Sequence, residues 1–139
     1  MGRILAIDYG DRRTGLAVSD LTGTIPGEAV TLEEWNAERL AQRIAEFARS
    51  RDVELLLLGL PKNMDGSEGP RAEKAREFAE LLKGVCDLPL QFWDERRSSI
   101  EAHQVLHANG KKEKKHRASV DAVAASLLLE GYLGSRTYG

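Results

Sequence analysis

Residues 3–20 read RILAIDYGDRRTGLAVSD, and the break inside this stretch decides the fold. Ile4, Leu5, Ala6 and Ile7 form a continuous apolar run, the pattern of a strand buried on both faces, and the run stops at Asp8. A carboxylate therefore stands at the end of a central strand. Tyr9 to Arg13 is turn-rich, and Thr14 to Ser19 alternates as a returning antiparallel strand. Gly10 and Gly15 let the backbone pass close beside the carboxylate. An ionised Asp at the edge of a core needs a compensating partner, which a divalent cation, a ligand hydroxyl or an Arg supplies. Ending a strand or accepting turn hydrogen bonds is the plainer role for Asp8, and its companions further along decide between the two.

Outward from this hairpin, Leu21 to Gly23 reads as a tight turn and Thr24 to Thr31 as a third antiparallel strand, with Pro26 marking an edge or an irregular start. Leu40, Ile44, Phe47 and Ala48 recur at helical spacing and predict an amphipathic helix over Ala37 to Arg49. Val53 to Gly59, with four consecutive leucines, is another doubly buried strand, parallel to the first because a helix intervenes. The polar loop LPKNMDGSEG (60–69) leads to Pro70, which suits the first turn of a helix carrying Ala72, Ala75, Phe78, Ala79 and Leu82 inward and ending at Gly84. Leu88 to Trp93 is a short strand running into Asp94, Glu95, Arg96 and Arg97. Ser98 to Glu101 fits a capping box, predicting a helix to about Ala108. A final helix runs from Ser119 to Leu133, with Asp121, Ala124, Ala125 and Leu128 along one face. Three antiparallel strands followed by alternating helices and strands give an α/β fold, a five-stranded mixed sheet with helices on both faces.

The 139 residues make one domain, 1–139, and 42% hydrophobic content is enough for a single core. With 20 basic and 22 acidic residues the net charge of -2 gives no global attraction to nucleic acid, so any polyanion site is local. Cys86 is the only cysteine, which excludes an internal disulfide, agrees with a reducing cytoplasm, and places its side chain near a helix end. No signal-peptide core precedes Asp8, and the longest apolar stretch, Leu55 to Leu60, is too short for a bilayer; the expectation is a cytoplasmic protein with no membrane partner.

Three acids share a structural logic: Asp8 ends the first strand, Glu95 follows the last, and Asp121 lies in the first turn of the final helix. Ligand sites in open sheets gather beyond the strand ends, so these distant residues can converge. Carboxylates repel one another unless a hard cation such as Mg²⁺ or Mn²⁺ joins them, and two such ions can activate water and stabilise the leaving oxygen at a phosphodiester. Each acid alone also fits an ordinary role, Glu95 pairing with Arg96 or Arg97 and Asp121 favouring a helix N-terminus. Asp20 is a turn residue or a reserve acid, Asp94 an acid behind the site, and Asp11 and Asp65 belong to turns. His103, His107 and His116 make no zinc pattern with Cys86.

Candidate substrate contacts are Arg12, Arg13, Lys62, Ser67, Arg96, Arg97, Lys111, Lys112, Lys114, Lys115 and Arg117, all in loops or at helix starts. Gly66, Ser67 and Gly69 before a helix can present backbone N–H groups to a phosphate, although the ending of a P-loop is missing. At 6% aromatic residues, extensive base stacking is not apparent, and backbone contacts dominate the expectation.

Four stretches together resemble the YqgF family, also called RuvX: IDYGDRRTGLAVSD, LGLPKNMDGSEGPRA, DERRSSIEA and KKEKKHRASVDAVAASLLLEGYL. The resemblance spans nearly the whole chain in the family's order. It implies an RNase H-like fold, a nuclease dependent on Mg²⁺ or Mn²⁺, and acidic ligands at Asp8, Glu95 and Asp121. The segment after DER, often a Leu followed by threonines in the family, reads Arg97, Ser98 and Ser99 here. The family's two associated roles are 5′-end maturation of pre-16S ribosomal RNA, the leading expectation, and resolution of Holliday junctions in branched DNA. Partners would be RNA, branched DNA or ribosomal precursor particles, with the chain a monomer or homodimer. Two readings from other classes are a nucleotide-binding phosphotransferase, for which one domain is too short, and a non-catalytic RNA-binding module whose basic loop carries affinity.

Overall fold

The computed structural model describes residues 2–23, 25–95 and 117–138, with side chains except those of residues 117–121 and 136–138. The elements are β1 (Arg3–Asp8), β2 (Arg13–Ser19), β3 (Pro26–Glu33), α1 (Ala37–Ser50), β4 (Val53–Leu60), α2 (Pro70–Val85), β5 (Leu90–Asp94) and α3 (Arg117–Tyr138). They build one five-stranded mixed sheet in the order β3-β2-β1-β4-β5. β1 pairs antiparallel with β2 and parallel with β4, and β4 runs parallel to β5.

Ile4 to Ile7 are at most 3% exposed, as the uninterrupted apolar run of a central strand requires. Alternation divides that run between two layers. Leu5 and Ile7 join Leu56, Leu58 and the inner faces of α1 and α2; Ile4, Ala6 and Leu57 join Trp93 and α3. The α2 face is Ala72, Ala75, Phe78, Ala79 and Leu82, as its spacing predicts. Ser19 is buried on β2 and accepts the Ile4 N–H at 2.8 Å, closing the β1–β2 ladder at its far end.

Several expectations are refined or corrected by tertiary contacts. Phe47 packs against the core from its rim and stays half-buried, with the Arg51 guanidinium over it at 3.7 Å, while Ala41 and Ala45 complete the inner face of α1. Gly84 does not cap α2, which continues to Val85 and ends at Cys86 in extended backbone, where the thiol is buried. On α3 the inward stripe is Ala125, Leu128, Leu129 and Tyr132, with Ala124 only half-buried. β3 begins at Pro26 on the sheet edge, two residues later than its pattern suggests, because Asp20 closes the preceding turn by accepting from the Thr22 hydroxyl at 2.6 Å and the Ile25 N–H at 3.2 Å. The helix expected over Ser98 to Ala108 and the basic connection after it lie outside the described residues. Among the described residues no helix is long and apolar enough to cross a membrane.

Asn36 caps α1 by accepting the Arg39 N–H at 2.9 Å. Asn36→Ala is expected to lower stability by about 1 kcal/mol, read as a shift of the urea midpoint with an unchanged slope.

Candidate active site

Asp8 is the last residue of β1 and, by alternation, faces the α3 side with Ile4 and Ala6. The β1–β4 register, Ile7 opposite Leu58, brings Gly59 beside it on the neighbouring strand. Glu95 comes from the far side of β4. Its backbone N–H donates to the Leu60 carbonyl at 3.1 Å, extending the β4–β5 ladder by one residue. The Glu95 side chain then lies over Gly59, where a Cβ would come within 2.5 Å of both Glu95 Oε1 and Leu128 Cδ1. A glycine in mid-sheet thus leaves the slot through which a carboxylate from β5 reaches one from β1.

The two carboxyl groups meet in a hydrogen bond, which exists only while one of them keeps a proton. Asp8 is pushed up to about 8, first by burial, then by its hydrogen bond to Glu95 and the charge of Glu95, against an opposing pull from Arg71. Two half-buried carboxyl groups in contact, one of them raised, are a pair of hard oxygen donors short of positive charge. They fit Mg²⁺ or Mn²⁺, which would replace that proton.

Asp121 lies in the second turn of α3 rather than the first, because the helix already begins at Arg117; it is seven residues and so about two helical turns before Leu128, the residue that touches the Gly59 slot. Its side chain is outside those described. Among the described residues no group of three or more potential ligands gathers, the acid pair being Asp8 and Glu95 alone. Asp94 ends β5 opposite Leu60.

A cleft of about 140 Å³ opens at the carboxyl ends of β1 and β4, lined by Tyr9, Gly10, Asp11, Gly59, Arg71 and Lys74 among others. Its wall is rigid on one side: the Tyr9 ring stacks on Phe78 of α2, with centroids 4.3 Å apart. At the turn, a Cβ on Gly10 would collide with the Arg13 carbonyl, and the buried Thr14 hydroxyl donates to the Gly10 carbonyl at 3.4 Å. Arg71 and Lys74 stand on the first two turns of α2, where the helix dipole also favours an anion. Lys74 contacts Asp11 at 3.4 Å; Arg71 has no ion pair within 4.0 Å among the described residues.

The other predicted contacts scatter around this centre. Arg12 pairs with Glu33 at 3.1 Å, and Arg13 opens β2 opposite Glu33. Lys62 and Ser67 belong to the loop before α2. The Ser67 hydroxyl already donates to Asp65 at 2.6 Å and accepts from Asn63 at 3.0 Å, which confirms Asp65 as a turn residue. Arg96, Arg97, Lys111, Lys112, Lys114 and Lys115 lie outside the described residues; Arg117 begins α3, its side chain not among those described. Sequence reasoning missed Gly59, Arg71 and Lys74. The one available signal for Arg71 and Lys74 was their place just after a Gly-rich loop and a helix-opening Pro70.

The sheet order and its helical layers define an RNase H-like protein. RuvC of T. thermophilus, solved in complex with a Holliday junction substrate, aligns at a TM-score of 0.64 over 99% of this chain and 98% of its own, at 12% identity. A fowlpox virus resolvase solved with Holliday junction DNA aligns at 0.59, over 96% and 98% of the two chains, also at 12% identity. In sequence, the family described as RuvX, Holliday junction resolvase, matches residues 2–135, and the chain belongs to this family. A relative from Halothermothrix orenii, named "Putative pre-16S rRNA nuclease", is 46% identical over 132 residues, 94% of each chain. One from Ligilactobacillus salivarius with the same name is 42% identical, covering 98% of this chain and 95% of its own.

Proposed function

We propose that this chain is a divalent-metal-dependent nuclease of the cytoplasm that hydrolyses phosphodiester bonds in 5′-end maturation of pre-16S ribosomal RNA. The observation that carries the reading is the half-buried Asp8–Glu95 pair, joined over Gly59 beside a cleft whose Arg71 has no ion pair within 4.0 Å among the described residues. Asp8 and Glu95, with Asp121 as the third acid, would hold Mg²⁺ or Mn²⁺. Bound there, the ions would activate water and stabilise the departing oxygen. Arg71 and Lys74 hold the non-bridging oxygens of the phosphate, and Tyr9 on Phe78 keeps the cleft from widening. The relatives' name supports the RNA substrate. A second reading, cleavage of four-way junctions in branched DNA by a homodimer, has the family's own description behind it.

The test is cleavage of a pre-16S fragment, single-stranded RNA and a four-way DNA junction with Mg²⁺, Mn²⁺ or EDTA. Metal-dependent cutting of the RNA fragment is expected. Paired cuts in the junction alone would move the function to the second reading, and metal-independent binding with no cutting would leave only an RNA-binding module.

Arg71 has its own expected outcome. Arg71→Ala should weaken single-stranded RNA binding and flatten the slope of log K against log salt by about 0.7, the share of one phosphate. Lys83→Ala, later on α2 and paired with Glu80 at 3.7 Å, should leave the slope unchanged. Equal slopes for both variants would remove Arg71 from the substrate path.

A further inference from the structure

Trp35 is 71% exposed and belongs to none of the three apolar clusters among the described residues, so no core contact accounts for its indole. It stands between β3 and Asn36, the cap of α1. The Arg12 guanidinium lies over its ring at 5.4 Å and is held there by Glu33 at 3.1 Å. A backbone bond from Glu34 N–H to the Arg12 carbonyl, 2.9 Å, ties this segment to the turn of the β1–β2 hairpin. The result is a braced, solvent-facing surface made of an indole and a guanidinium plane.

Its position relates it to the acid pair. Asp8, Gly15 and Thr31 lie in one row across β1, β2 and β3, and Glu33 is two residues further along toward the cleft end of the sheet. Two strand spacings and two residues of rise put Glu33 about 12 Å from Asp8. Trp35 follows two residues later, within the reach of a few nucleotides of extended strand. Asp11 lines the cleft and Arg12 is its neighbour in the chain, so one turn carries both the cleft wall and the guanidinium of this surface.

We infer that Trp35, with Arg12, is a stacking platform for an unpaired nucleobase a few nucleotides from the scissile phosphate. This rests on the nuclease reading for its substrate and adds a preference for single-stranded flanks. A flat aromatic face with a cation beside it accepts any base, because every base has a π-face, whereas paired bases inside a duplex cannot reach it. Such a surface holds single strands without reading their sequence.

The experiment uses the intact chain and a fluorescein-free single-stranded RNA dodecamer in buffer with EDTA, following tryptophan emission. Trp93, the other tryptophan, is buried against α3 and Tyr132, so it serves as a constant background. Stacking is expected to quench the emission; Trp35→Ala should lose the quench and bind the dodecamer about 5- to 100-fold more weakly. Trp35→Tyr should recover most of that affinity, and a blunt duplex of the same length should bind wild type and Trp35→Ala alike. Equal dodecamer affinities for wild type and Trp35→Ala, or no quench at saturation, would overturn the platform. Cleavage is scored separately: a quench in a protein that cuts nothing supports the platform while removing the nuclease reading, and metal-dependent cutting without any effect of Trp35 does the reverse.

Discussion

Asp8→Asn is expected to lose at least about 10³-fold in cleavage rate and yet to melt higher than the wild type in EDTA at pH 8. The loss follows from removing one of the proposed metal-binding oxygens. The gain follows from the shared proton. Asp8 titrates at about 8 in the folded chain, above its value in the unfolded one, so its contribution to stability is fully present below about pH 4 and is lost as pH rises through about 8. The wild type should therefore weaken steadily across that window when no metal is present. An asparagine amide donates to Glu95 at every pH and needs no proton from solution. Asp8 keeps one edge toward water, so the full shift is discounted to about 2–4 kcal/mol at pH 8, or roughly 10 °C in Tm. The difference should close toward pH 4. Differential scanning calorimetry of both proteins at pH 4, 6 and 8 decides it: parallel stability curves would mean that Asp8 and Glu95 do not share a proton in a buried site. Added Mg²⁺ or Mn²⁺ should raise the wild-type Tm and leave the variant's nearly unmoved.

Gly59→Ala, unlike Asp8→Asn, should lower activity and stability together. A methyl at this position would sit 2.5 Å from both Glu95 Oε1 and Leu128 Cδ1, so both side chains must move. Leu128 is 2% exposed and surrounded by Ala125, Leu129 and Tyr132, which makes its displacement an overpacking cost of about 1–3 kcal/mol. Glu95 is freer to swing outward, and that freedom is what damages the site. Its carboxylate leaves Asp8, and a displacement near 1 Å at a reacting centre costs on the order of 10²-fold in kcat/KM. Urea unfolding and RNA cleavage measured on the same preparation give the comparison. Wild-type kcat/KM in Gly59→Ala would show that Glu95 does not work from its place over β4.

These two residues differ in how they could be found. Asp8 was legible because a single sharp event marks it: four apolar residues buried on both strand faces, then a charge. The same local rule exposed β4, and the 3.6-residue period exposed the inner face of α2 without error. Glu95 was legible as an acid just after a strand, and the family motifs reinforced it. Phe47 follows the period of α1 and packs against the core rim, and only its half-exposed face under Arg51 depends on tertiary placement. Gly84 misled because a glycine near a helix end is common, and nothing local states that the helix runs one residue further.

What the sequence by itself determined is therefore everything that depends on neighbours along the chain: the hairpin, the order of strands and helices, and the acids that end them. What only the tertiary structure decided depends on neighbours across the sheet. Gly59 becomes a slot because β1 and β5 flank β4, so that Asp8 and Glu95, 87 positions apart in numbering, meet over it. Arg71 comes to the cleft because α2 begins beside that slot, and Trp35 meets a guanidinium plane because Glu33 on β3 holds Arg12 against it. Strand order and helix placement are set by burial of the whole core, a property that no window of sequence contains.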